Sequence, residues 1–203
     1  MKVIAIKGDV RDGLGKALTK KIRKEGKVPC VVYGNGENQN FSVYQADFKH
    51  LVYTPNTYLV QLNIGDQSKL AKVQELQFHP VSDDIVHADF YEVDPAKPVS
   101  IPVPVKLVGN SVGVRAGGKL QLKIKKLNIL GLIADIPEFI EVNIDNLAIG
   151  KSVKVKDISV GGLTLLDSEN NSIVSVIITR ASRSAAGSGA DEEDETEETS
   201  GEE

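Results

Sequence analysis

Residues 85–93 read IVHADFYEV, in which apolar and polar side chains alternate as they do in a half-buried β-strand. Five similar runs lie upstream, at 3–8, 29–34, 40–45, 57–64 and 69–77. Turn signals such as Asn35-Gly36 and Gly65-Asp66 separate them. Helices are predicted over 14–25 and near Asp47. Six short strands in succession, with one or two short helices, favour a closed or nearly closed β-barrel.

A proline-rich segment follows the sixth run. DPAKPVSIPVPV, at 94–105, contains four prolines and predicts a domain boundary near residue 95. Because proline lacks a backbone N–H, the part around Pro102 and Pro104 is expected to form a strand only at a sheet edge. Alternating runs then continue as far as NSIVSVIIT at 171–179. The predicted protein is mainly β: a six-stranded barrel at 1–94, a second mainly β domain at 95–182 and a tail at 183–203.

The composition excludes several classes of protein. Of the 203 residues, 41% are hydrophobic and 26% are charged, and Cys30 is the one cysteine. An intramolecular disulfide is therefore excluded, and no Cys/His cluster has zinc spacing, so we expect no metal and no cofactor. No apolar run is long enough for a signal peptide or a membrane span. These features predict a cytoplasmic protein without a membrane partner.

The charge is distributed unevenly along the chain. The formal net charge is -4, but nine of the 28 acidic residues lie in 184–203, where there is no Lys or Arg. The remainder has 24 basic and 19 acidic residues, a net charge of +5. The tail has no aliphatic side chain larger than alanine and its charges repel one another, so we expect it to be disordered. Residues 1–27 carry nine basic and three acidic residues, which favours a polyanionic partner.

The helix predicted at 14–25 has two opposed faces when successive residues are placed about 100° apart. Its apolar face consists of Leu14, Leu18 and Ile22. Its cationic face consists of Lys16, Lys20, Arg23 and Lys27, with Lys24 at the margin and Arg11 in the loop before it. We expect the apolar face to pack on the barrel. Any exposed helix face is charged, but Glu25 is the sole acid between 13 and 27, which favours a row of phosphates as the partner.

The strand at 85–93 places a histidine and an aspartate on one face. Alternation groups Ile85, His87, Asp89 and Tyr91 on one side and Val86, Ala88 and Phe90 on the other. A His/Asp pair can serve catalysis or a metal, yet no nucleophile elbow or zinc-binding motif accompanies it. The alternatives are a structural surface pair and nucleic-acid recognition, in which a carboxylate accepts hydrogen bonds from base amino groups.

Four further positions allow two interpretations each. Gly13-x-Gly15 lacks the rest of a phosphate-binding loop and is more consistent with a flexible turn. Tyr33 is either a half-buried ring with a wet hydroxyl or a contact to sugar or base. Gln74 either faces solvent or bonds to a base edge. Cys30 is expected to be a small buried side chain.

Several segments together resemble a known family. They are R-x-x-x-G-K at 11–16, TKKIRKEGKVPCVVYG at 19–34, VQELQFHP at 73–80, HADF at 87–90 and, downstream, VNIDNLAIGKSVKVKDI at 142–158. The pattern is similar to the L-twenty-five family of bacterial large-subunit ribosomal proteins, in the long form called general stress protein CTC. The resemblance implies a non-enzymatic protein that binds 5S ribosomal RNA at loop E, beside neighbouring ribosomal proteins and without a small-molecule substrate. It implies this RNA-facing set: Arg11, Lys16, Lys20, Lys21, Arg23, Tyr33, Gln74, His87 and Asp89. Lys24 is added to this set because of its charge and not because of the resemblance.

The chain departs from the family pattern in two places. Lys20 and Lys21 stand where an arginine pair is usual, and they keep the charge without the planar fork of a guanidinium. Cys30 stands where alanine is usual. Two other functions compete with RNA binding. One is a stress-associated protein-interaction module that does not contact RNA, and the other is a hydrolase that uses His87 and Asp89.

Overall fold

The computed structural model describes residues 1–11, 13–36 and 38–178. Within these ranges six strands close an N-terminal barrel, as predicted. They are β1 (Val3–Val10), β2 (Lys27–Tyr33), β3 (Gln39–Tyr44), β4 (Leu59–Ile64), β5 (Gln67–Phe78) and β6 (Ile85–Glu92). Their order around the barrel is β1-β3-β2-β6-β5-β4, and parallel pairing of β1 with β4 completes the circle. The acidic tail predicted at 183–203 lies outside the described residues.

Side chains fill the interior of the barrel, as expected for so few strands. Phe90 is fully buried, and its ring centroid lies 5.7 Å from that of Phe41 and 6.3 Å from that of Phe48. Phe48 comes from a 3₁₀ helix (Gln45–Phe48) that leads into α2 (Lys49–Val52), which confirms the short helix predicted near Asp47. Cys30 is also fully buried, as predicted, and burial raises the pKa of its thiol.

The first helix differs from its prediction. Helix α1 spans Lys16–Lys24, and none of its side chains is buried. Leu14 is 68% exposed and Leu18 is 44% exposed, so the expectation that the apolar face packs on the barrel is wrong for these two residues, while Ile22 is half-buried. The physical reason is that the helix is shorter than predicted. It begins at Lys16, so Leu14 lies before it and cannot extend its apolar face. Leu18 packs instead over Gly13, where a β-carbon would meet the end of the Leu18 side chain.

Lys27 does not belong to the cationic face of the helix, contrary to the prediction. The helix ends before Gly26, whose φ of 73° reverses the chain, and Lys27 is the first residue of β2. Its ammonium lies 2.7 Å from the carboxylate of Asp9 and 4.7 Å from the ring centroid of Tyr44. The hydrogen bond to Asp9 raises the pKa of Lys27. Its charge is therefore neutralised locally.

The rest of the described chain is also mainly β, as predicted. Its elements are β7 (Val99–Val108), α3 (Val112–Arg115), β8 (Lys119–Leu122), β9 (Lys126–Gly131), β10 (Ile140–Asn143), β11 (Ser152–Lys154), a 3₁₀ helix (Val155–Asp157), β12 (Thr164–Leu165) and β13 (Ser172–Ile177). They form a four-stranded sheet in the order β10-β7-β9-β12 and a three-stranded sheet in the order β11-β13-β8.

The proline-containing strand β7 lies between β9 and β10 in the sheet, whereas the sequence predicts the part around Pro102 and Pro104 at a sheet edge. Pro102 and Pro104 stand opposite Asn128 and Lys126 of β9. On the other side, β10 has four residues against ten in β7. It therefore covers only part of β7, and the remainder tolerates residues that lack an N–H.

The chain divides into two compact units, each built from several segments. The first contains Met1–Lys106, Lys126–Ile140 and Ser159–Asp167, and includes the barrel. The second contains Leu107–Lys125, Glu141–Ile158 and the described part of Ser168–Glu203, and includes the three-stranded sheet. The boundary near residue 95 stays a prediction from sequence.

Candidate nucleic-acid interface

Helix α1 presents five cationic side chains to solvent. They are Lys16, Lys20, Lys21, Arg23 and Lys24. The helix begins after Gly15, whose φ of 119° favours glycine. Three of the five cations lie in the last turn, where positive charge stabilises the helix dipole. The sequence therefore forms a short helix that concentrates positive charge near its C-terminal end.

The cations of α1 have no carboxylate partner in the part of the chain that the structure describes. The lysines that do form ion pairs there are Lys2 with Glu138, Lys27 with Asp9, Lys69 with Glu92 and Lys97 with Asp94. Clustered cations that remain unneutralised repel one another, and an approaching polyanion relieves that repulsion. The charge of α1 is therefore available for a row of phosphates.

One hydrogen bond joins α1 to the strand that carries the His/Asp pair. The Nε atom of Arg23 donates to the carbonyl oxygen of Val86 over 3.1 Å. Val86 is the residue before His87 in β6. The hydrogen bond places the cationic helix beside β6, so the two features singled out in the sequence lie on adjacent parts of one surface.

His87 and Asp89 share the outer face of β6, as the alternation predicts. Both are half-buried, while Ala88 and Phe90 are fully buried in the barrel core. The Nδ1 atom of His87 lies 2.7 Å from the Oδ1 atom of Asp89, without the alignment of a hydrogen bond. The imidazole and the carboxylate are therefore in close contact, on a strand whose other face is packed in the barrel core.

Ile85 does not share this face, contrary to the prediction. It is 4% exposed and belongs to the barrel core together with Ala88 and Phe90. The register between β5 and β6 shifts at Gln77 and Phe78, so strict alternation fails at the beginning of β6. The polar face of the strand therefore begins at His87.

Pairing with the neighbouring strands assembles two rows of side chains on the outside of the barrel. Asp89 stands between Val31 of β2 and Glu75 of β5. Two residues further along, Tyr91 stands between Tyr33 and Lys72. Successive outward positions on a strand are about 6.6 Å apart, a spacing suited to consecutive groups along a nucleic-acid strand. Tyr33 and Asp89, both candidate site residues from the sequence, therefore lie in adjacent rows of this surface.

A β-bulge at Gln74 determines which side chains of β5 join the rows. Val73 pairs with Phe90 and Glu75 with Asp89, so Gln74 is the extra residue between them. Gln74 is exposed at this bulge. Glu75 and Lys72 cannot be identified from the sequence pattern, because the bulge changes the alternation of β5 at that point. Tyr91 could be found from the alternation of β6 alone.

Two buried polar atoms on this surface have no hydrogen-bond partner among the described residues. They are the Oδ1 atom of Asp89 and the Nε atom of Arg11. The backbone N–H of Arg11 donates to Asn40, and Asn40 stands opposite Val31 in the row that contains Asp89. Both atoms are shielded from solvent, and the Oδ1 atom of Asp89 lies 2.7 Å from the Nδ1 atom of His87, so an external ligand would meet the other, partly exposed atoms of these two side chains.

The environment of Tyr33 keeps its hydroxyl protonated. Burial and the negative charges of Asp89 and Glu75 raise the pKa of Tyr33. The hydroxyl is therefore a hydrogen-bond donor at neutral pH. Its ring lies edge-on to that of Tyr91, with 6.0 Å between the centroids.

The described residues contain no group of three or more His, Cys, Asp or Glu side chains able to hold a metal ion. His79 has a local role, since its Nδ1 atom accepts hydrogen bonds from the N–H groups of Val81 and Ser82. In the same ranges, no helix combines the length and hydropathy needed to cross a bilayer.

Comparison with known proteins assigns the chain to a family. The Ribosomal L25p family matches residues 6–90, and the C-terminal domain of ribosomal protein TL5 matches residues 98–180. The large ribosomal subunit protein bL25 of Phocaeicola vulgatus is 45% identical over 193 residues, which cover 92% of this chain and 98% of the relative. The bL25 proteins of Bacteroides thetaiotaomicron and Porphyromonas gingivalis are 44% and 43% identical, over 92% of this chain and 97% and 98% of the relatives.

These relatives are structural proteins of the large subunit and not enzymes, which confirms the prediction of a non-enzymatic ribosomal protein and excludes the hydrolase alternative. A ribosomal role also confirms the predicted ribosome-associated, cytoplasmic location. The chain belongs to the bL25 family of large ribosomal subunit proteins.

Proposed function

We propose that this protein binds 5S ribosomal RNA in the loop E region as part of the large ribosomal subunit. The observation that carries the proposal is the hydrogen bond from Arg23 to Val86, which sets the un-neutralised cations of α1 beside His87 and Asp89. Family membership supports the ribosomal setting, and the family resemblance seen in the sequence supports 5S RNA as the partner.

The cations of α1 and Arg11 supply most of the affinity. Each neutralised phosphate releases counterions, a gain that does not depend on base sequence. Lys20 and Lys21 act as point charges here, because an ammonium cannot form the bidentate contact of a guanidinium. Positive charge therefore holds the RNA backbone along α1.

The strands supply selectivity for one RNA shape. A carboxylate is a poor neighbour for phosphates, so the partly exposed carboxylate of Asp89 accepts hydrogen bonds from base amino groups. His87, Tyr33 and Gln74 contact base edges or 2′-hydroxyls on either side of it. The barrel, predicted to span residues 1–94, is thus the RNA-binding domain.

The test is binding of the full chain to a 5S loop E fragment over a range of salt concentrations. Lys20→Ala combined with Arg23→Ala should reduce the slope of log K against log salt by about 0.7 to 0.9 for each phosphate that the variant no longer neutralises. A matched control, Lys49→Ala with Lys151→Ala, removes two exposed lysines from other parts of the surface and should leave the slope unchanged. Equal slopes for both double variants would exclude α1 as the phosphate-binding element.

A further inference from the structure

A cleft of about 330 Å³ opens beside Tyr33, within the compact unit that contains the barrel. Tyr33, Tyr91, Lys72 and Gln74 line one part of it, and residues 98–100 line the other. Its volume is at the lower end of the range for small-molecule sites. The proposed RNA surface therefore ends in a concave site one row beyond Asp89.

Two tyrosine rings give the cleft aromatic walls. Tyr33 and Tyr91 meet nearly at right angles, with an interplanar angle of 80°, so their faces point in different directions. Tyrosine faces are the surfaces on which unpaired bases stack, and such stacking is tolerant of base identity. Gln74 adds an amide donor and an amide acceptor at the bulge, a combination suited to the polar edge of a base.

Lys72 is a half-buried cation that has no anionic partner in the described ranges. Its ammonium donates a hydrogen bond to the carbonyl oxygen of Ser100 over 2.7 Å and lies 5.5 Å from the ring centroid of Tyr91. Burial without a carboxylate lowers the pKa of Lys72. Lys69, on the same strand and similarly shielded, does have a partner, the carboxylate of Glu92 at 3.4 Å.

The contrast between the two lysines indicates what the cleft lacks. A partly desolvated ammonium is costly unless an anion accompanies it, and a carbonyl and a ring face compensate only in part. A ligand that carries both an anion and an aromatic group would pair with Lys72 and stack on the tyrosine rings. A nucleotide, with a planar base and a phosphate, has that combination.

We propose that this cleft binds one unstacked nucleotide, with its base against Tyr33, Tyr91 and Gln74 and its phosphate beside Lys72. The inference rests on the proposed function, because an unpaired nucleotide of the bound 5S RNA is the first source of this ligand. A free mononucleotide is the second source and has the same chemistry.

The experiment is base-specific chemical probing of whole 5S RNA bound to the full chain. The variants are Lys72→Met and Tyr91→Leu, with Lys69→Met as the matched control and Tyr91→Phe as the variant that keeps the ring. The natural protein, Lys69→Met and Tyr91→Phe should protect at least one unpaired base that Lys72→Met and Tyr91→Leu leave reactive. Protection of loop E should persist in all of them, and affinity should fall about tenfold in the two cleft variants, in line with the removal of one stacked base.

The outcomes separate the cleft from the proposed function. Unchanged protection and affinity in Lys72→Met and in Tyr91→Leu would overturn the cleft and leave loop E binding intact. If the natural protein does not protect loop E, the proposed function fails. In that case the protein is titrated with adenosine and guanosine monophosphate to test the cleft separately. Saturable binding that Lys72→Met abolishes would support a free nucleotide as the ligand. No binding would overturn the proposed site. Circular dichroism verifies that each variant is folded, and Lys72→Gln replaces Lys72→Met if that variant is not folded.

Discussion

Helix α1 and strand β6 form the two parts of the proposed RNA surface, and they are held in different ways. No side chain of α1 is buried, and its cations stand in solvent. Behind His87 and Asp89, by contrast, Ala88 and Phe90 are fully buried in the barrel. Coulomb attraction acts over several ångströms and does not need a fixed side-chain position, whereas a hydrogen bond to a base edge does. The loosely held element therefore suits affinity, and the packed element suits selectivity.

The largest effect should be on stability, where the two elements differ most. Phe90→Ala removes a fully buried ring between Phe41 and Phe48 and should cost about 3 to 5 kcal/mol of unfolding free energy. Leu18→Ala, on α1, should cost less than about 0.5 kcal/mol because that side chain is already 44% exposed. Urea unfolding followed by tyrosine fluorescence reports on the barrel, since all five tyrosines lie between residues 33 and 91. A large decrease in stability in Leu18→Ala would show that α1 is integral to the core.

The next effect is on selectivity. Asp89→Ala should weaken binding to the loop E fragment by about 1 to 3 kcal/mol, while binding to a random RNA duplex stays the same or improves as a negative charge is removed. Asp66→Ala, in the exposed turn before β5, is the control for charge alone. Competition binding with both RNAs gives the two affinities. An equal decrease on both RNAs would make Asp89 a structural residue.

A smaller effect concerns the link between the two elements. Arg23→Lys keeps the positive charge but removes the Nε donor to Val86, so affinity for loop E should fall by about 1 kcal/mol, roughly fivefold. The salt dependence should remain that of the natural protein, because the number of cations is unchanged. Titrations at three salt concentrations separate the two quantities. A lower slope with unchanged affinity at low salt would contradict the role of this hydrogen bond.

The smallest effect is a pH dependence at the turn before β6. Hydrogen bonds from Gln45 and Ser82 lower the pKa of Asp84 below its ordinary value of 3.8. A carboxyl whose pKa is lower in the folded state stabilises the fold above its unfolded pKa, and this contribution disappears as the pH falls through the folded pKa. The urea midpoint should therefore fall less between pH 6 and pH 3 in Asp84→Asn than in the natural protein. Gln45→Ala should have the same effect, and the two changes should not add.

Much of the barrel and part of its surface can be predicted from local patterns. All six strands, the short helix near Asp47, the cationic helix and the shared face of His87 and Asp89 follow from periodicity and turn residues. The errors occur where the pattern changes within a few residues. Lys27 leaves the helical period because Gly26 ends the helix, and Ile85 turns inward where the strand register shifts.

The sequence by itself determined where the charge lies and which side chains alternate, because both depend only on neighbours along the chain. Tertiary structure alone decided that Glu75 and Lys72 stand beside Asp89 and Tyr91, since that placement depends on one extra residue in β5 relative to β6. It also decided that α1 keeps its leucines exposed and is joined to β6 by Arg23. Such placements are set by the register and packing of strands distant in sequence, and local periodicity does not encode them.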